Sequence, residues 1–210
     1  PLKALKSSLE VNLRDKNLTI ENAKKTMSES IEDINDLQRL SDSLLNLSQY
    51  QKPFFSANIK DISLNICINE AVKKVTSLAK QKQITIKKNV EEINIKGIKD
   101  DLINLFVIVL DNAIKYSFKK TSIKIITKKI NSQIIIEIKD QGISIEKKDL
   151  PFIFDRFFRA DQSRSKEKVV GYGLGLSIAK KIVLNHHGKI SMTSQVDKGS
   201  IFTINFPNTA

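Results

Sequence analysis

Apolar residues recur at steps of three and four along the first fifty residues, which is the spacing of one face of an α-helix. The longer stripe lies within residues 28–50 and consists of Ile31, Ile34, Leu37, Leu40, Leu44 and Leu47. A shorter stripe within residues 2–14 consists of Leu2, Leu5, Leu9 and Leu13. Two helices of this size cannot bury their stripes alone, so we expect a second copy of the chain to complete a four-helix bundle. Docking of the helical pair onto the rest of the same chain is the alternative.

After residue 50 the pattern changes to a mixture of strands and helices. Pro53 ends the long helix, which predicts a domain boundary between residues 52 and 57. Further helices are predicted at 66–82, 99–117 and from a glycine-rich segment to Gly188, and strands at 84–89, 121–130, 132–140, 189–195 and 199–207. The sequence therefore predicts an α+β fold. A helical hairpin comes first, and helices then cover one face of a mixed, mostly antiparallel sheet.

Composition and charge change this picture little. With 40% hydrophobic and 28% charged residues the chain resembles ordinary globular proteins, and no apolar run reaches the roughly 18 residues that a membrane helix needs. The net charge of +12 raises nucleic acid or anionic lipid as partners. However, the lysines are spread along the whole chain without the spacing of a DNA-binding motif, which favours solvated side chains. Cys67 is the single cysteine, so an internal disulfide is excluded, and a packed core thiol is expected.

Three segments carry residues that suit chemistry. Gly171, Gly173 and Gly175 alternate immediately before a helix, where close backbone approach and free N–H groups favour a phosphate. The segment is neither a dinucleotide-binding fingerprint nor a P-loop, because a charged loop precedes it and no Gly-Lys-Ser/Thr follows. Asp140 closes an alternating strand just before Gly142, where a carboxylate can accept a hydrogen bond from an exocyclic amine.

The third segment ends the apolar helix predicted at 99–117. Asn112, Lys115 and Tyr116 follow ten largely apolar residues within one helical turn. Buried polar groups are costly unless they have partners. The sequence therefore raises the question of what completes this turn.

Taken in order, these segments resemble the catalytic and ATP-binding domain of sensor histidine kinases, in the superfamily shared with gyrase, Hsp90 and MutL. "DNAIKYS" matches the N box, "DQGISI" the first glycine box, "FIFDRFFR" the F box and "GYGLGLSIAKKIV" the second glycine box. The closing "HHGKISMTSQVDKGSIFTINFP" is similar to the family's last helix end and strand pair. The resemblance covers essentially the whole chain.

The resemblance implies ATP and Mg²⁺ as cofactors and assigns roles to individual residues. Asn112 is expected to bind Mg²⁺, Lys115 to reach a phosphate, Tyr116 to pack beside the nucleotide and Asp140 to read the adenine amino group. Phe154 and Phe158 are expected to hold a lid at residues 159–172, and Arg156 or Arg159 to offset phosphate charge. The remaining implied nucleotide contacts are Gly142, Ile145, Gly171, Gly173, Leu174, Gly175 and Leu176.

The resemblance also gives the helical hairpin a role. It implies that residues 1–52 form the dimerisation and phosphotransfer domain and that residues 57–210 form the ATP-binding domain. In the family the phosphoacceptor histidine precedes a Thr-Pro-Leu string. The chain opens with Pro1-Leu2, so the first helix is expected to be truncated, with the acceptor upstream and no autophosphorylation by this fragment. His186 and His187 end the last helix, and His186 is expected to be a packing or helix-capping residue.

Two positions depart from the family pattern. The family often has a second polar residue four positions before the N-box asparagine, and here that position is Ile108. Asn104 lies about 80° around the helix from Asn112, so it is a poor substitute. The second glycine of the first glycine box is replaced by Ser144. Both departures bear on catalysis more than on nucleotide binding.

The resulting hypothesis is the cytoplasmic kinase core of a two-component sensor histidine kinase. Its parent would be anchored in the inner or plasma membrane, would bind Mg-ATP, and would pass phosphate from a histidine to an aspartate of a response regulator. A homodimer through the hairpin is expected, and nucleic acid is not an expected partner. The alternative is a degenerate nucleotide-binding or dimerisation module with little kinase activity.

Overall fold

The computed structural model describes residues 2–15, 18–51, 59–160, 171–195 and 198–208. The chain divides into two compact units, residues 1–49 and 50–210. The first contains α1 (Leu2–Arg14) and most of α2 (Ile20–Gln51). Helix α2 begins eight residues before the predicted stripe. Thr19 accounts for this start, because its hydroxyl accepts a hydrogen bond from the Asn22 N–H at 3.2 Å, as an N-cap residue does.

The helical unit leaves much of its apolar stripe in solvent. Leu5 is buried, but 59% of Ile31 and 46% of Ile34 are exposed. Leu9, Leu13 and Leu44 are exposed as well. The side chains of Leu2 and Leu47, which also belong to the predicted stripes, lie outside the described residues. The two helices therefore present an apolar surface that one copy of the unit does not bury.

The second unit contains three helices and two sheets. The helices are α3 (Leu64–Gln81), α4 (Lys99–Tyr116) and α5 (Gly175–Asn185). Strands β1 (Lys60–Ser63) and β3 (Asn94–Gly97) form a small antiparallel sheet. The main sheet contains β2 (Thr85–Asn89), β4 (Ser122–Ile130), β5 (Gln133–Lys139), β6 (Lys189–Gln195) and β7 (Gly199–Pro207). No helix in the described part of the chain combines the length and apolar character that a membrane span requires.

The main sheet has the order β2-β4-β5-β7-β6. Strands β2 and β4 are parallel, and all other neighbours are antiparallel, which confirms the mixed sheet. Alternate residues are buried along its central strands, such as Ile134, Ile136 and Ile138 of β5. Helix α4 supplies the facing layer with Leu102, Leu105, Phe106, Val109 and Leu110, all buried completely. The sheet and its helices therefore form the predicted α+β layers.

Two predictions about single residues are confirmed in this core. Cys67 is completely buried, and burial raises the pKa of its thiol to about 11. His186 caps the C-terminus of α5. Its Nδ1 lies 2.8 Å from the Ile182 carbonyl oxygen, and its Nε2 accepts a hydrogen bond from the Ile98 N–H at 3.1 Å. Burial lowers the pKa of His186, so the imidazole is neutral with its proton on Nδ1.

Candidate nucleotide-binding site

The last turn of α4 carries the first predicted site residue. Asn112 is half-buried, and no described residue forms a hydrogen bond with its side-chain amide. The next two residues, Ala113 and Ile114, are buried. Among the described residues this partly buried amide has no hydrogen-bond partner, so its oxygen and nitrogen can bind a ligand.

Lys115 and Tyr116 lie in the same turn, and the Lys115 side chain has a partner in the protein. The Lys115 ammonium is 2.7 Å from the Asp111 carboxylate, one helical turn earlier. Although 38% of Tyr116 is exposed, desolvation raises the pKa of its phenol, and the positive charge of Arg159 opposes this rise. Arg159 therefore lies within electrostatic reach of the end of α4. Arg156 is exposed, like Arg159.

Asp140 follows β5 and is 6% exposed. Its Oδ1 accepts hydrogen bonds from the N–H groups of Gly142 and Ser200, both at 3.1 Å. No described residue donates to its Oδ2. Burial raises the pKa of this carboxyl to about 6, against the pull of the two N–H groups. At neutral pH the group is therefore mostly ionised, with one oxygen fixed and the other available as an acceptor.

The segment after Asp140 is bound directly to the end of α4. The Ile143 N–H donates to the Tyr116 carbonyl at 3.0 Å, and the Phe118 N–H donates to the Gln141 carbonyl at 3.2 Å. A Cβ on Gly142 would lie 2.1 Å from the Tyr116 carbonyl oxygen. The missing side chain of Gly142 thus makes room for the helix backbone. The contact joins the segments that contain Asn112 and Asp140.

Ser144 and Ile145 come next in this segment and are hydrogen bonded to the end of β6. The Ser144 hydroxyl donates to the Gln195 carbonyl at 2.9 Å, and the Ile145 N–H donates to the Ser194 hydroxyl at 2.9 Å. Both residues are half-buried. The serine that replaces the family's glycine therefore has its hydroxyl bound to the end of β6.

The phenylalanine-rich segment is bound to the glycine-rich segment. A 3₁₀ helix at Leu150–Phe152 precedes it, and the rings of Phe152 and Phe158 pack with centroids 5.9 Å apart. The Phe157 N–H donates to the Gly173 carbonyl at 3.0 Å. Gly173 has φ +71°, and a Cβ there would lie 2.5 Å from the Phe158 carbonyl oxygen. Gly173 is therefore needed for this contact. Phe154 is half-buried beside it.

The other residues of the glycine-rich segment differ in their surroundings. Gly171 is exposed, and a Cβ there would meet nothing within 4 Å. Gly175 begins α5, where a Cβ would lie 3.3 Å from the Ile108 side chain of α4. Leu174 is buried and Leu176 half-buried. Residues 161–170, most of the predicted lid, lie outside the described residues.

The Asp140 segment and the glycine-rich segment thus contact α4, and the phenylalanine-rich segment is bound to the glycine-rich segment. Comparison with known proteins shows which family has these segments. Residues 97–210 match the family described as histidine kinase-, DNA gyrase B-, and HSP90-like ATPases. The chain belongs to this family.

The chain is also similar to curated histidine kinases. It is 38% identical over 177 residues to the signal transduction histidine-protein kinase ArlS of Staphylococcus aureus, a match that covers 84% of this chain and 39% of ArlS. The chain therefore spans about two fifths of the curated relatives it matches.

Solved structures share the fold of the whole chain. The Acinetobacter baumannii histidine kinase AdeS superposes with a TM-score of 0.77 at 20% identity, covering 100% of this chain and 96% of AdeS. Histidine kinase ThkA, in complex with the response regulator protein TrrA, superposes with a TM-score of 0.72 at 19% identity, covering 99% of this chain and 60% of ThkA. At these identities the likeness shows the fold alone.

Sequence reasoning missed several groups that support this ATPase site. Ser194 and Ser200 bind the Asp140 segment from β6 and β7. The Lys82 ammonium donates to the Lys115 carbonyl at 2.6 Å and so stabilises the end of α4. Ser200 is the second residue of β7, the strand that pairs with β5. That pairing joins segments 60 residues apart, which periodicity cannot reveal.

Proposed function

We propose that this chain is the kinase core of a two-component sensor histidine kinase. Residues 57–210 bind Mg-ATP, and residues 1–52 act as the dimerisation and phosphotransfer hairpin. In the whole protein, a histidine receives the γ-phosphoryl group and passes it to an aspartate of a response regulator. Family membership supports the ATP-dependent chemistry, and the likeness to ArlS supports the signalling context.

One observation carries the proposal. The Asp140 segment is hydrogen bonded to the backbone at the end of α4, just after the turn that presents the unpartnered Asn112 amide. An acceptor suited to a purine amine and an amide suited to a phosphate-bound cation are therefore held on one rigid framework. Such preorganisation is what phosphoryl transfer asks of the protein, since positioning and charge neutralisation dominate its catalysis.

The residues at the end of α4 fit a magnesium ion. Mg²⁺ takes oxygen ligands and keeps several waters, so a single protein oxygen together with substrate phosphates suffices. The Asn112 carbonyl is the oxygen we assign to it. When bound, Mg²⁺ neutralises charge on the phosphates. Lys115 must exchange its contact with Asp111 for one with phosphate, or share itself between them, because the two side chains are paired at 2.7 Å.

The base lies at the Asp140 end. Oδ2 of Asp140 accepts a hydrogen bond from the adenine amino group, while Oδ1 stays with the N–H groups of Gly142 and Ser200. Tyr116 packs beside the nucleotide, and Arg159, which lies within electrostatic reach of Tyr116, offsets phosphate charge. Phe154 and Phe158 border the site.

The exposed stripe of the helical unit supports a homodimer. Ile31, Ile34 and Leu44 lie on one side of α2 and are more than two fifths exposed. A second copy would bury them in a four-helix bundle, the arrangement expected for paired amphipathic helices. The partner of this dimer is a response regulator. The parent protein is anchored in the membrane, and this chain lies in the cytoplasm.

Calorimetry with Mg-ATP tests nucleotide binding at Asn112. We expect Asn112→Ala to lower the affinity by about 10- to 100-fold, the value of one hydrogen bond or ligand to a charged group. Asn205→Ala is the matched control, since Asn205 lies on β7 at a position that alternates with the buried residues. Chelating the Mg²⁺ should remove the difference between Asn112→Ala and wild type. Equal affinities of the two proteins for Mg-ATP would overturn the assignment.

The alternative is a nucleotide-binding module without kinase activity, and two contacts favour it. Ile108 packs against the start of α5 where the family often has a polar side chain, and the Ser144 hydroxyl is bound to Gln195. A transfer assay distinguishes the two functions. With a separate hairpin that contains the phosphoacceptor histidine, the kinase core should transfer labelled phosphate. Tight Mg-ATP binding without transfer would establish the alternative.

A further inference from the structure

Two serines of the β6–β7 hairpin connect to the carboxylate that we assign to the purine. Ser200 forms a pair of backbone hydrogen bonds with Asp140: its N–H donates to Oδ1 at 3.1 Å, and its carbonyl accepts from the Asp140 N–H at 2.9 Å. The Ser200 hydroxyl donates to the Ser194 hydroxyl at 3.0 Å. Ser194 in turn accepts the Ile145 N–H at 2.9 Å. Both ends of segment 140–145 are therefore bound to one hairpin.

The Ser194 hydroxyl uses its complete hydrogen-bonding capacity. A hydroxyl has two acceptor sites and one donor. Ser194 accepts from Ile145 and from Ser200, and it donates to the Gly199 carbonyl at 3.4 Å. Alanine at this position would remove all three bonds at once, whereas threonine retains the hydroxyl.

The hairpin also contacts the backbone of Asp140 directly. Gly199 has φ +84°, and a Cβ there would lie 2.3 Å from the Asp140 carbonyl oxygen. The β6–β7 turn and the end of β5 are thus in van der Waals contact. With so little free space, a shift of the hairpin moves the Asp140 carboxylate as well.

We propose that Ser194 is a positioning residue for purine recognition: its hydroxyl ties Ile145 to the strand that carries Ser200 and thereby sets the direction of the Asp140 carboxylate. The inference rests on the proposed function, because it needs a purine to be read by Asp140. A directed carboxylate discriminates between a 6-amino and a 6-oxo purine, since only the amino group donates to it.

The test compares Mg-ATP with Mg-ITP, which carries an oxygen in place of the amino group. Wild type should bind Mg-ATP more tightly. Ser194→Ala should lower the Mg-ATP affinity by about five- to tenfold, roughly the worth of one hydrogen bond, and leave the Mg-ITP affinity unchanged. Ser194→Thr should keep the wild-type preference. Ser191→Ala, three residues earlier on β6 and exposed, is the matched control. Calorimetry measures all eight affinities.

Hydrogen exchange at the Ile145 amide supplies a readout that needs no nucleotide. Faster exchange in Ser194→Ala than in Ser191→Ala supports the contact, and equal exchange overturns it. A fall of equal size for Mg-ATP and Mg-ITP would show a merely structural role and overturn the inference. If wild type binds neither nucleotide, the proposed function itself fails, together with this role. If wild type prefers Mg-ATP and Ser194→Ala retains the full preference, the inference alone fails.

Discussion

The helical unit and the ATPase unit bury their apolar residues to very different degrees. Among the described side chains of residues 2–49, Leu5 is the one buried large apolar residue. In the described part of the ATPase unit, by contrast, the three interior strands β4, β5 and β7 and the helices α3, α4 and α5 all contribute buried ones. Ile31 and Ile34 are 59% and 46% exposed, although both belong to the apolar stripe of α2. The difference teaches that one unit buries its own apolar residues, whereas the other leaves an apolar surface of the kind that interaction sites have.

Among the described residues, the ATPase unit also buries more polar side chains than the helical unit does. The ATPase unit buries Asp140, His186 and Ser200, each with hydrogen-bond partners, while Ser30 is the buried polar residue described in the helical unit. Low local dielectric makes such groups costly unless they are satisfied, and satisfied groups fix geometry. The ATPase unit should therefore respond to changes at single positions, and the helical unit to association.

The largest effect is expected from Gly142→Ala. The new Cβ would lie 2.1 Å from the Tyr116 carbonyl oxygen, and backbone on both sides cannot yield as a side chain does. We expect the ATPase unit to lose about 3 kcal/mol or more of unfolding free energy, beyond the usual cost of overpacking. Urea unfolding measures this loss. Gly171→Ala is the control, since its Cβ meets nothing and should change stability by less than about 0.5 kcal/mol. Similar losses in both variants would contradict the close contact.

Gly142 also illustrates what the sequence could predict. Periodicity located α4, the β4–β5 hairpin and the β6–β7 pair, because each is long enough to show its pattern. Strands β1 and β3 have four residues each and are too short to stand out in the sequence. The motifs located segments that the structure connects, but the contacts between them depend on pairings between distant parts of the chain. Gly142 lies against a helix backbone, and Lys115 is paired with Asp111; neither follows from local sequence.

A second prediction concerns the buried carboxylate. The pKa of Asp140 rises from 3.8 to about 6 on folding, so the folded state binds the proton more tightly. The stability that this proton contributes is lost as the pH rises through about 6. Above that pH the buried carboxylate of Asp140 is ionised, which destabilises the folded state. We expect Asp140→Asn to gain up to about 3 kcal/mol of unfolding free energy near pH 8. The gain should disappear near pH 4, and Mg-ATP binding should weaken.

Denaturant unfolding across the pH range measures the effect of Asp140→Asn. Asp155→Asn serves as the control, because Asp155 is exposed and should show no pH-dependent difference from wild type. A gain that is the same near pH 4 and near pH 8 would count against burial as its cause.

Ile34→Ala tests the other unit. If a second copy covers α2, truncating this side chain removes about 1 kcal/mol from each protomer, and symmetry doubles the effect. The dissociation constant of the dimer should rise by about 30-fold, corresponding to roughly 2 kcal/mol. Sedimentation measures it. Asn35→Ala, one position along and on a different side of the helix, should leave the constant unchanged. A monomeric wild type would contradict the interface itself.

The smallest effect belongs to a row of like charges in the ATPase unit. Basic and acidic residues nearly balance in residues 1–49, so the net charge of +12 belongs to the other unit. Lys87, Lys124 and Lys139 lie opposite one another on three adjacent strands, where like charges repel. Lys124→Glu would convert the row into alternating charges and should stabilise the unit by about 0.5 kcal/mol at low salt.

Salt distinguishes this electrostatic gain from a change in packing. In about 1 M salt the Debye length falls to roughly 3 Å, so the advantage of Lys124→Glu should disappear. Urea, which is uncharged, is the suitable denaturant. Lys128→Glu is the matched control, because Lys128 lies opposite Ile135 on β5 and has less repulsion to relieve. A gain that persists at high salt, or an equal gain in Lys128→Glu, would show that the gain does not come from repulsion within the row of three lysines.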